Sequence, residues 1–134
     1  MRRSHEYALA LLEKARQDAR AMVVLANDPT GADWIVGFHA QQAAEKAVKA
    51  VLTHHLLEYP LTHSLSVLLE HVRASGLPLP PDEASIAKLT PFAAILRYET
   101  APTAPALDRA WARNVVEQTL CWAQGIAGTP RKKP

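Results

Sequence analysis

Phe38-His39-Ala40-Gln41-Gln42-Ala43-Ala44-Glu45-Lys46-Ala47-Val48-Lys49-Ala50 reads as one helix with two unlike sides. At about 100° per residue, Ala40, Ala43, Ala44, Ala47, Val48, Ala50 and Val51 fall on one arc. His39, Gln42, Glu45, Lys46 and Lys49 fall on the opposite arc. A face of small residues lets another helix backbone come close. A face with two lysines, a histidine and a glutamine either stays in water or receives an anion. Trp34 and Phe38 border the polar face, which implies partial cover by another helix, a second subunit or a ligand.

Outward from this stretch the periodicity stays helical. A first helix is expected from Ser4 to Ala26, with Ala8, Leu12, Ala15, Ala19, Met22, Val23 and Ala26 as its apolar stripe. Asn27-Asp28-Pro29-Thr30-Gly31 is a dense turn signal that ends it. The second helix starts at Asp33, read as its N-cap, and runs to about His55. Pro60 holds Tyr59 extended in the connector that follows. Thr62 or Ser64 caps a short third helix to Ala74, with Leu65, Leu68, Leu69 and Val72 inward. Asp82 caps a fourth, with Ile86, Leu89, Ala93 and Leu96 inward. Pro91 either kinks that helix or breaks it, with Thr90 as a fresh N-cap. The fifth runs from Ala106 to Ile126, with Trp111, Val115, Gln118 and Trp122 on one side. The expected fold is all-α, an up-and-down helical bundle of four long helices plus one short helix. It occupies residues 1–127 as a single domain, with a flexible basic tail over 128–134.

Composition narrows the function classes. The chain has 134 residues, 49% of them apolar, and a net charge of +2. That balance does not announce a nucleic-acid binder, which concentrates basic residues on one surface. The single Cys121 allows no internal disulfide and fits a reducing cytoplasm. No leader and no membrane span are expected, because Met1-Arg2-Arg3 runs into a mixed helix and no apolar run approaches about 18 residues.

Few residues carry chemistry on spacing alone. His54 and His55 are adjacent and point to different sides of a helix; His63 and His71 are eight apart. No His-x-x-x-His pair occurs, so neither a metal nor a cofactor is expected. Cys121, between Leu120 and Trp122, is read as a buried, inert thiol. Five glycines and no Gly-rich motif exclude a phosphate-cradling loop. Two spots remain. Arg97-Tyr98-Glu99 ends the fourth helix, where the macrodipole alone favours a cation, yet an arginine beside a tyrosine also suits a phosphate and a base. The second spot is His39, Gln42, Lys46 and Lys49. Glu45 and Lys49 there form an i, i+4 pair that serves any exposed helix.

The 38–50 stretch, with Thr62-His63-Ser64-Leu65, Leu68-Leu69 and Arg97-Tyr98 in this order and spacing, closely resembles the HEPN domain family from about Ala8 to Ala123. The first motif is long and fairly specific; the other two are weak alone. The resemblance implies a helical bundle that homodimerises. It also implies a partner, since stand-alone prokaryotic members are often encoded beside a minimal nucleotidyltransferase in toxin–antitoxin-like pairs. Nucleotide binding is a further implied property, with His39, Gln42, Lys46, Lys49, Arg97 and Tyr98 as candidate residues. Several branches are RNases with an Arg-x4–6-His motif. No arginine of this chain has a histidine at that spacing, and Glu99 stands where a proline usually follows Arg-Tyr. A carboxylate there disfavours a phosphate.

Two functional expectations follow. The favoured one is a non-catalytic interaction module, homodimeric and paired with a nucleotidyltransferase. The alternative is a ribonuclease toxin with an unconventional site, in which His39 or His63 moves the proton and Arg97 stabilises the phosphate.

Overall fold

The computed structural model describes residues 2–93 and 106–128, with side chains from Ser4 onward. Five α-helices and one 3-10 turn make up the described fold: α1 (Arg2–Ala26), α2 (Asp33–His54), α3 (Leu65–Ala74), α4 (Glu83–Ala87), the 3-10 turn Thr90–Ala93, and α5 (Arg109–Ala127). The fold is all-α, as the helical period predicts. The fourth helix takes the broken form of the two that Pro91 allows, since α4 ends at Ala87 and a new turn starts at Thr90. Leu96 and the Arg97-Tyr98-Glu99 segment lie outside the described residues.

α2 is the central element. α1 and α5 pack on it and on each other, while α3 and the 3-10 turn cover the rest. Its alanine arc is fully buried, as the small-residue pattern predicts: Ala40, Ala43, Ala47 and Ala50 have no exposed surface. The core adds Leu12 and Met22 from α1, Leu65, Leu68 and Val72 from α3, Ile86 from α4, and Ala112 and Val116 from α5. The stripe expected on α3 is the one observed.

Local chemistry explains the helix starts. The Ser64 hydroxyl accepts from the Val67 N–H at 3.4 Å, and the Asp108 carboxylate accepts from the Trp111 N–H at 3.0 Å. Asp33 is not the N-cap expected of it. Ala32 holds that position, and Asp33 lies in the first turn of α2, where a carboxylate suits the positive end of the helix. Asp82 does precede α4, but in a left-handed conformation (φ 52°), and its carboxylate accepts from the Ser85 hydroxyl instead of capping a backbone N–H.

Two side-chain assignments on α5 are corrected. The buried stripe is Ala112, Val115, Val116, Thr119, Ala123 and Ala127; of the four residues expected on one side Val115 belongs to it, and Trp111, Gln118 and Trp122 do not. Thr119 can be buried because its hydroxyl donates to the Val115 carbonyl at 2.7 Å. The tryptophans sit half-buried at the edges, where the Trp122 indole N–H reaches the Pro78 carbonyl at 2.9 Å. Gln118 is exposed. Cys121 lies outside the true stripe and is exposed, not buried.

Arg109, the first residue of α5, clasps the α1–α2 turn. Its Nε donates to the Asp33 carboxylate at 2.8 Å. Its terminal nitrogens donate to the carbonyls of Leu25, Ala26, Asp28 and Gly31. Carbonyls left open at a helix end need such donors, so one guanidinium both finishes α1 and fixes where α5 begins.

Gly37 has a different constraint. The Phe92 ring of the 3-10 turn rests on it, so an added Cβ would lie only 2.6–2.7 Å from the ring's Cγ and Cε1. Gly37→Ala should therefore lower stability by about 1–3 kcal/mol through overpacking. Thermal unfolding should show a fall on the order of 5–10 °C; an unchanged midpoint would mean that Phe92 moves aside freely.

Candidate functional site

The polar arc of α2 is largely covered, and the cover is ionic. Asp18 of α1 faces it and accepts from the His39 Nδ1 at 3.0 Å through one carboxylate oxygen. The other oxygen pairs with the Lys46 ammonium. One turn further round, Glu45 repeats the pattern. Its Oε1 accepts from the Gln41 Nε2 and from the His63 Nδ1, each at 2.8 Å. Its Oε2 accepts from the Lys49 Nζ at 2.9 Å.

A second tier holds these groups in place. Gln41 is fully buried and also donates to the His63 carbonyl at 3.2 Å, so it positions both the carboxylate and the loop that carries the histidine. Gln42 donates to the Gln41 side-chain carbonyl at 2.7 Å. The Lys49 ammonium lies 6.0 Å from the Tyr59 ring centroid, and the Tyr59 hydroxyl bonds the Thr53 hydroxyl at 3.0 Å.

All four candidates on α2 are therefore engaged inside the chain: His39 and Lys46 by Asp18, Lys49 by Glu45, and Gln42 by Gln41. Two carboxylates balance two ammonium groups, so a phosphate arriving at this face would meet a like charge beside each lysine. His39 and His63 belong to separate clusters on different carboxylates. Arg97 and Tyr98 lie outside the described residues. Glu45, placed on the water-facing arc by periodicity, is in fact buried, with 6% of its side chain exposed. The reason is tertiary: His63, from the connector before α3, sets its ring on Glu45 and its carbonyl on Gln41.

One arrangement here has chemical potential. The His63 Nδ1 is tied to a buried carboxylate while 69% of the side chain remains exposed. A carboxylate on one ring nitrogen fixes the tautomer and leaves Nε2 as a proton acceptor. Elsewhere, among the described residues, no group of three His, Cys, Asp or Glu side chains is placed to hold a metal ion. No described helix is long and apolar enough to cross a membrane.

The match to known proteins agrees with the motif reading: a model of the HEPN domain covers residues 8–126. The chain belongs to the HEPN domain family. No curated protein and no solved structure matches it. The match takes in nearly all described residues of this HEPN domain, including both carboxylate clusters and α5.

Asp18 is the participant that the sequence-based reading missed in this HEPN domain. A signal was present: it stands three residues after Ala15 and four before Met22, both in the apolar stripe of α1. A carboxylate in a stripe that packs against another helix needs a counter-charge there.

Glu45 makes the domain sensitive to acid. Burial pushes its carboxyl up. The hydrogen bonds from Gln41, Lys49 and His63, with the Lys49 charge, outweigh that and hold it below the ordinary glutamate value of 4.5. A carboxyl depressed by folding adds stability above its unfolded value and loses it as pH falls through the folded value. Wild type should thus be more stable than Glu45→Gln near pH 7 by about 1–3 kcal/mol. The difference should shrink steadily below pH 4.5. Urea titrations across pH test this; a gap that stays constant into acid would remove Glu45 as the titrating group.

Proposed function

We propose that this HEPN domain is a non-catalytic interaction module of the cytoplasm, homodimeric and paired with a nucleotidyltransferase in a toxin–antitoxin-like system. The observation that carries this reading is the internal neutralisation of α2. Lys46 and Lys49 each hold a carboxylate already, and its negative charge opposes a phosphate brought to the same ammonium. The absence of any Arg-x4–6-His spacing in the chain supports the same reading. The exposed edge of this arc, with Arg97 and Tyr98, then serves as a recognition surface for the partner protein. Nucleotide contact at Lys46 and Lys49 competes with Asp18 and Glu45, so it is weak in the unmodified chain.

A second reading is favoured by His63 alone. Its carboxylate-anchored ring suits general acid–base chemistry on RNA, with Arg97 as the phosphate-stabilising cation.

Three measurements separate the readings. The purified protein should be a dimer, should co-purify with the nucleotidyltransferase encoded beside it, and should leave RNA intact. RNA cleavage that disappears in a folded His63→Ala variant would reverse the assignment. For the nucleotide, calorimetric titration with ATP should show tighter binding to Asp18→Asn than to wild type, because that change releases Lys46. Tight binding to wild type that is lost in Lys46→Ala would show that the lysine is already available.

A further inference from the structure

We draw no further inference here: the strongest candidate, the apolar groove between α1 and α5 lined by Val24, Val116 and Leu120, is an unpartnered face, and nothing in the structure shows what covers it.

Discussion

Ionised groups enclosed in a helical bundle must find their counter-charges within it, and that constraint is concentrated on α2. A helix in contact with α1, α3, α5 and the 3-10 turn has little surface left for water. An isolated charge there would be expensive to bury. Each ionic side chain of the polar arc is accordingly matched by another residue of the chain. Asp18 ties α1 to α2, and Glu45 ties the 61–63 connector to α2 through His63. The same contacts that make burial tolerable hold the bundle in register.

This changes the meaning of the most distinctive stretch of the chain. Its lysines and histidine resemble an anion site when read on a helical wheel. Folded, they act first as braces. What stays exposed is the rim of the arc and His63 with its outward ring edge. The RNase reading and the interaction reading differ over whether the free edge of His63 meets a substrate. They agree on why the ring is held still.

Much of the fold was legible because its signals are local. Ala40, Ala43, Ala44 and Ala47 announced a close-packed helix, Leu65, Leu68, Leu69 and Val72 an amphipathic one, and Pro91 either a kink or a break. What stayed hidden depends on contacts between distant segments. Glu45 looks solvent-facing on its own helix, and only contact with His63 from the following connector shows otherwise. Trp111 and Trp122 look like core residues on α5, but amphipathic aromatics settle at edges while Thr119 enters the core by bonding its own backbone. That choice also turns Cys121 outward. The Arg109 clasp joins residues some 80 positions apart, and no spacing rule points to it.

The braced face depends on Glu45 being an enclosed, ionised carboxylate held by Gln41, Lys49 and His63. Carbon-13 NMR of its side-chain carboxyl through an acid titration measures this directly. The midpoint should lie below 4.5. A midpoint at or above that value would mean that burial outweighs the surrounding donors and that Glu45 does not neutralise this face.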